Sequence, residues 1–356
     1  MRKVAVVTSP WSVSLQKVSR SIAQVFDEKK DELNIDGTKL FLSQQVSPTE
    51  YQDVDLAIVV MTFDPLFVKA YAFIVYYLQQ YGKKAIFYTT TEGKLLPTDG
   101  IDWIKREIVP YANSEYTKEK LIKYGMRVAG VVYHGIDFQR FQSYPDARPL
   151  IREQLGLSEN DFVAGYIAGC YSRKGHDRYA EVIRQVYKKD PSIKFVVLTT
   201  DKCAKHYDGV PNTVVVSDFG KLDDEEVEQM YQAFDIYVHA SLSEGFGLPV
   251  LEALASGLPV VHTDYKPLSE ITTKETSFRA PTRFISYIQE TGAIKYELHY
   301  YKIDEFVDAI LKAKEAVLSK KEYYREKALE RAKEFDIHKV YNAFVQLLNR
   351  GETKHE

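Results

Sequence analysis

The stretch DIYVHASLSEGFGLPVLEALASGLPVVHTD, residues 235–264, reads as strand, glycine turn, helix and strand. Its opening run, up to Ser241, is apolar and β-branched and has the length of a strand. Gly245 and Gly247 then break the chain into a turn. Pro249 suits a first helical turn, where its missing N–H costs nothing. Gly257 suits the carboxyl end of the same helix. A helix amino end, with free N–H groups and a partial positive charge, therefore points outward behind a glycine-rich turn. That arrangement suits a phosphate or a polyhydroxyl ligand. Glu244 stands before the helix and Glu252 in its early turns, so both carboxylates can face one ligand, and carboxylates accept hydrogen bonds from ribose or hexose hydroxyls. Taken singly, Glu252 also fits a glutamate favoured by the helix dipole, and the two glycines fit plain turn-shaping.

Outward from this stretch, strand-length apolar runs alternate with helix-period segments. The strands expected before it are 3–9, 39–45, 55–62, 85–91 and 130–135, then 162–169, 194–200 and 213–219. Helices are expected at 14–26, 66–81, 176–189, 223–234 and 248–256. Near-continuous Val/Ile/Leu strands separated by helices mean parallel sheets covered on both faces. The fold class is α/β, with two successive doubly wound, Rossmann-like units facing across a cleft. The aperiodic, proline-containing stretch 140–150 marks the boundary. Expected domains are 1–145, 146–335 and a C-terminal helix, 336–356, packing back on the first domain. Residues 266–302 show no clear period, are rich in aromatics and read as an irregular segment or insertion. Ligands of such sheets bind at the carboxyl ends of the strands, so the chemistry is expected in loops that follow strands.

The length of 356 residues fits two domains, and 45% apolar residues suffice for two cores, which excludes a disordered chain. A net charge of −3 gives no global pull toward nucleic acid. The first 150 residues carry 19 basic and 17 acidic side chains against 28 and 33 in the remainder, a mild bias toward an anionic partner for the first half. Two cysteines, Cys170 and Cys203, point to a reducing, cytoplasmic compartment and no structural disulfide. The apolar run at the N-terminus is too short for a signal-peptide core. The segment 66–78 is interrupted by Lys69 and reads as a buried helix; membrane contact, if any, is peripheral.

The central stretch resembles the donor-site signature of the retaining glycosyltransferases of family 4, which have the GT-B fold. Their hallmark is two glutamates separated by seven residues around a G-F-G-x-P turn, here Glu244 and Glu252 in EGFGLPVLE. The resemblance implies that Glu244 meets sugar hydroxyls and Glu252 the nucleotide ribose. It implies too that the backbone of Gly245, Phe246, Gly247 and Leu248 lies against sugar and phosphate. Further back, AGCYSRKGHDR (168–178) resembles the family's pyrophosphate loop. Gly169 is in place, but Cys170 stands where relatives carry arginine. Lys174-Gly175 is one residue closer than usual, and Arg173 is the candidate for the missing cation. Fixed cations there would stabilise a departing diphosphate. Gly220, Lys221 and Leu222 resemble the loop that holds the nucleobase.

The first 110 residues depart most from the family. Ser9 and Trp11 stand where relatives carry a glycine pair after the first strand. Glu92 stands near the place of a histidine beside the reacting carbon; it fits an acceptor-orienting carboxylate and equally a solvated loop residue. Asp64 is a weaker acceptor-side candidate, and His134 belongs to a stretch resembling the end of the acceptor domain. Asp53-Val54-Asp55 matches a D-x-D metal pattern but precedes a strand, and no zinc-ligand set appears. The absence of a G-x-G-x-x-G fingerprint argues against a dehydrogenase. The resemblance implies a retaining, metal-independent hexosyl transfer from a nucleotide diphosphate sugar, UDP- or GDP-linked, to an acceptor hydroxyl on a glycan, lipid or small molecule. Its rivals are a non-catalytic nucleotide-sugar binder and an epimerase of the same fold.

Overall fold

The computed structural model describes residues 1–42, 53–290 and 292–349. The chain divides into two compact units. The first comprises Met1–Asp137, Gln289–Tyr296 and the residues from Phe335 on; the second comprises Phe138–Ile288 and Glu297–Glu334. The division thus falls somewhat ahead of the expected 145/146 boundary, and the first unit takes back a short piece, 289–296, that the sequence did not announce.

The first unit holds β1 (Arg2–Thr8), β2 (Ile35–Leu42), β3 (Leu56–Thr62), β4 (Lys84–Thr90), β5 (Gly93–Leu95), β6 (Tyr111–Ala112) and β7 (Gly130–Val131). Six of them form a parallel sheet in the order β2-β1-β3-β4-β6-β7. Val4–Val7 and Leu56–Val60 are almost wholly excluded from solvent, which is why these strands read as unbroken apolar runs. The helix Val13–Glu28 starts where Ser12 accepts a hydrogen bond from Leu15 N, and it buries Leu15, Val18, Ile22 and Phe26 at helical spacing. The expected strand 130–135 shrinks to β7, and the part of 39–45 beyond Leu42 lies outside the described residues. The segment 66–81 forms the helix Val68–Gln80, which buries Val68, Ala72, Val75 and Leu78. Among the described residues no helix is long and apolar enough to cross a membrane.

The second unit holds β8 (Phe162–Ile167), β9 (Ile193–Leu198), β10 (Thr213–Val216), β11 (Ile236–His239), β12 (Val260–Asp264), β13 (Ser277–Pro281), β14 (Phe284–Ile288) and the end of β15 (Ile294–Tyr300). Its parallel sheet runs β10-β9-β8-β11-β12-β13. The stretch 266–302 is therefore corrected from an irregular segment or insertion: it holds three strands. Its pattern was hidden because β14 is exposed at Phe284, Ile285 and Tyr287 alike, leaving no alternation to read. The start of β15 pairs antiparallel with β5 in the first unit.

β11 is fixed from below by charge. Asp235, just ahead of it, accepts hydrogen bonds from Arg148 (2.7 Å), Arg152 (2.9 Å) and Val163 N of β8 (2.8 Å). Arg152 is fully buried, and its remaining donors are taken by the carbonyls of Ala233, Ser158, Glu159 and Asp161. A buried guanidinium is tolerated only when so completely satisfied.

Candidate functional site

β11 lies between β8 and β12, and the loop that follows it runs to Gly247, whose φ of +103° caps the helix Leu248–Ala255. A Cβ at Gly247 would stand 2.6 Å from Leu268 Cδ2, so the turn has neither the backbone nor the room for a side chain. Pro249 sits in the first turn of the helix. The neighbouring loop, after β8, forms a short 3-10 turn, Ser172–Lys174, and ends at Gly175 with φ +66°. A Cβ on Gly175 would meet Ala240 O at 2.8 Å. Glycine thus lets the two loops close on each other. Leu242 N donates to Arg173 O at 2.8 Å, and Ser241 Oγ donates to the same carbonyl at 3.3 Å.

Across that junction Lys174 Nζ lies 2.5 Å from Glu244 Oε1, and His239 Nε2 lies 3.0 Å from the same oxygen. Glu244 is only 6% exposed. Burial pushes its carboxyl up, but the charge of Lys174 and the His239 hydrogen bond outweigh that and hold it well below the usual carboxylate range. Burial lowers the His239 imidazole, against the pull of Glu244, so it is neutral at pH 7. Glu252, also 6% exposed, is turned toward the helix Asp224–Gln232, where Tyr231 OH donates to its Oε2 at 2.8 Å. The sequence expectation had both glutamates facing a ligand; in the structure Glu244 is held by Lys174 and His239, and Glu252 by Tyr231.

The remaining donor-side candidates gather around the β8 loop. Gly169 faces Phe219, whose Cε1 would lie 3.0 Å from a Cβ, so the loop bearing Gly220, Lys221 and Leu222 begins beside it. Gly220 turns with φ +83°, and exposed Lys221 pairs with Asp218 at 3.0 Å. Phe246 is buried behind the glycine turn. The Arg173 guanidinium lies over the Tyr171 ring, 4.6 Å from its centroid.

Cys170 is joined to Cys203 in a disulfide, which corrects the expectation of none. The two cysteines lie on loops that follow the adjacent parallel strands β8 and β9. A separation of 33 residues in sequence conceals a Cα–Cα distance of 5.4 Å. The cysteine count therefore gives no ground for a reducing compartment. His176 ties the same loop a second time: Nδ1 lies 2.8 Å from Tyr207 OH and Nε2 3.1 Å from Gly169 O. Burial lowers His176 to about 4, so it acts as a neutral bridge.

In the first unit the candidates are dispersed among separate tasks. Ser9 Oγ accepts from Trp11 N at 3.3 Å, and Trp11 is 79% exposed. Asp64 accepts from Leu66 N at 2.9 Å and from Ala293 N at 3.0 Å, pinning the returning segment. Glu92 is half-buried between β4 and β5. His134 is buried with Nδ1 2.8 Å from Tyr88 OH, and burial lowers it to about 3. The D-x-D pattern is used locally: Asp55 accepts from Lys3 N at 2.7 Å, and Asp53 pairs with Lys3 at 3.6 Å. Among the described residues no cluster of His, Cys, Asp or Glu could hold a metal ion. Sequence reasoning missed His239 and Tyr231, and it missed the pairing of Cys203 with Cys170. A histidine closing an otherwise apolar strand, next to the glutamate turn, was the available signal for the first.

This fold is that of GT-B glycosyltransferases. The structure of a glycosyltransferase from Rickettsia africae ESF-5 superposes with a TM-score of 0.73 at 13% identity, covering 98% of both chains. The Anabaena protein Alr3699/HepE, solved in complex with UDP and glucose, superposes with a TM-score of 0.71 at 15% identity, covering 98% of this chain and 100% of that one. Residues 147–291 match the family described as glycosyl transferases group 1. Uncharacterized glycosyltransferase 335 of Sulfolobus islandicus rod-shaped virus 1 is 27% identical over 353 residues, 97% of this chain and 100% of its own. The alpha-monoglucosyldiacylglycerol synthase of Acholeplasma laidlawii is 28% identical over 138 residues, 37% of this chain and 35% of its own. The likeness to glycosyl transferases group 1 thus falls on residues 147–291.

Proposed function

We propose that the protein is a retaining glycosyltransferase that moves a hexose from a nucleotide diphosphate sugar to an acceptor hydroxyl without a required metal. The observation that carries this reading is the part-buried Lys174–Glu244 pair where the β8 and β11 loops meet, behind the Gly245–Gly247 turn. In this reading Glu244 accepts hydrogen bonds from sugar hydroxyls and Glu252 from the ribose. Lys174 and Arg173 stabilise the charge that grows on the departing diphosphate. The backbone of Gly169 and of Gly245, Phe246, Gly247 and Leu248 approaches the phosphates and sugar, and the loop at Gly220, Lys221 and Leu222 meets the base. The departing phosphate oxygen takes the proton of the acceptor hydroxyl as the new glycosidic bond forms. Positioning and fixed charge supply most of the barrier reduction. The acceptor candidates are Ser9, Trp11 and Glu92, with Asp64 and His134 supporting the fold around them.

One observation favours a second reading, a nucleotide-sugar binder without turnover: the residue in the place of the family's arginine is Cys170, and its sulfur is committed to Cys203. Incubation with UDP-, GDP- and ADP-sugars, with and without candidate acceptors, separates the two. Release of free nucleoside diphosphate supports transfer; affinity with no release supports the binder.

A further inference from the structure

We propose that His239 is a positioning residue that sets which oxygen of Glu244 is offered to the sugar. This rests on the reading of Glu244 as the sugar-hydroxyl acceptor. His239 ends β11 and is 1% exposed, with Nε2 3.0 Å from Glu244 Oε1. A carboxylate only accepts, so the proton of the neutral ring must sit on Nε2. Nδ1 then carries a lone pair, and it is buried with no hydrogen-bond partner. That is the tolerable arrangement: a protonated ring would place a buried N–H there with nothing to receive it. Lys174 Nζ reaches the same oxygen at 2.5 Å. Two donors, one from the end of β11 and one from the loop after β8, thus converge on Oε1, while Oε2 takes neither of them.

The convergence has a directional consequence. A glutamate held by Lys174 alone can rotate about its terminal torsion and exchange its oxygens, because an ammonium is a flexible point donor. The imidazole is rigid, set in the end of a strand between Tyr166 and Tyr237, whose ring centroids lie 6.3 Å and 5.9 Å from its own. It fixes the plane of the carboxylate as well as its charge. Of the charged and titratable groups at this point, Lys174 and Glu244 contact one another and His239 contacts Glu244; the phenols of Tyr166 and Tyr237 donate elsewhere, to Lys174 O and Ile167 O. His239 therefore acts on the sugar through Glu244 and not on the nucleotide, which distinguishes it from Lys174.

The test compares affinity for a nucleotide sugar with affinity for the matching diphosphate. UDP-glucose and UDP are the first probes, with the GDP and ADP pairs run alongside. His239→Leu is expected to weaken nucleotide-sugar binding about tenfold while changing diphosphate affinity less than twofold. His239→Gln, which can place a donor near Nε2, is expected to restore most of the loss. Equal weakening of both ligands, or of neither, overturns the inference and leaves His239 a packing residue. Glu244→Gln is measured in parallel: if it leaves the sugar-to-diphosphate affinity ratio unchanged, the reading of Glu244 itself fails. Nitrogen-15 spectra of the wild-type histidines supply a check that needs no variant. An Nε2–H tautomer at His239 is expected, and an Nδ1–H or doubly protonated ring at pH 7 overturns the inference.

Discussion

Lys174 Nζ and Glu244 Oε1 lie 2.5 Å apart, with side-chain exposures of 14% and 7%, so the loops after β8 and β11 are latched by a desolvated ion pair. Such a pair costs more to break than to replace. Lys174→Met is expected to lower kcat/KM by about 10²–10³-fold, as loss of one preorganised donor does, and to lower the melting temperature. Adding Glu244→Gln in the same chain is expected to recover the melting temperature but not turnover. Steady-state kinetics and thermal denaturation of the single and double variants check both halves.

The Cys170–Cys203 link closes a loop of 33 residues. Chain-entropy arguments give a stabilisation of about 3–4 kcal/mol for a loop of this size. Reduction with dithiothreitol, or Cys203→Ser, is expected to lower the unfolding free energy of the protein by about that amount, read from denaturant midpoints. Because the link is adjacent to Gly169, affinity for nucleoside diphosphate should fall with it.

Acid sensitivity should begin well above the carboxylate range. His134 and His262 are lowered by burial to about 3 and His176 to about 4, and His239 is lowered as well. The unfolded chain binds protons at these rings near pH 6.5 while the folded chain does not, so stability is full above that pH and declines as the pH falls toward the folded values. His134, His176 and His262 each contribute a loss on the order of 2 kcal/mol by pH 5, and His239 adds to it in the same direction. Glu244 works in a lower window: its contribution is full above the unfolded carboxylate value of about 4.5 and is lost progressively as the pH falls from there toward its depressed folded value. A melting temperature flat from pH 7 to 9 and dropping steadily from pH 6.5 to 5 is the expected profile. A drop that starts only below pH 4.5 contradicts it.

Asp64 is expected to matter to folding. Its carboxylate holds Leu66 N and Ala293 N, and a Cβ on Gly292 would fall 1.9 Å from Asp64 Oδ2. Asp64→Ala is expected to cost about 2 kcal/mol of stability, the scale of charge-assisted hydrogen bonds, and to leave diphosphate affinity in the second unit unchanged. Denaturant titration and calorimetric binding on the same preparation check this.

The legible parts of the chain are those where local chemistry and tertiary structure agree. Parallel strands buried on both faces announce themselves as unbroken apolar runs, and Gly247, Pro249 and Gly257 mark a helix with φ angles or ring geometry that few other residues supply. The glycine turn after Glu244 was legible for the same reason. What stayed hidden depends on neighbours distant in sequence. Cys203 meets Cys170 only because β8 and β9 are adjacent. Tyr231 meets Glu252 only because two helices pack. Asp64 looked like a loop carboxylate until the segment at Ala293 returned to it. β14, exposed on both faces, carries no period at all.

In the proposed function Glu244 and Glu252 grip one glycosyl nucleotide. A crystal structure of the protein soaked with the diphosphate sugar it binds tests this most directly. A sugar hydroxyl is expected within about 3 Å of Glu244 and a ribose hydroxyl within about 3 Å of Glu252, as hydrogen bonds require. A nucleotide lodged elsewhere, or Glu252 still held by Tyr231 with no oxygen on the ligand, would contradict it.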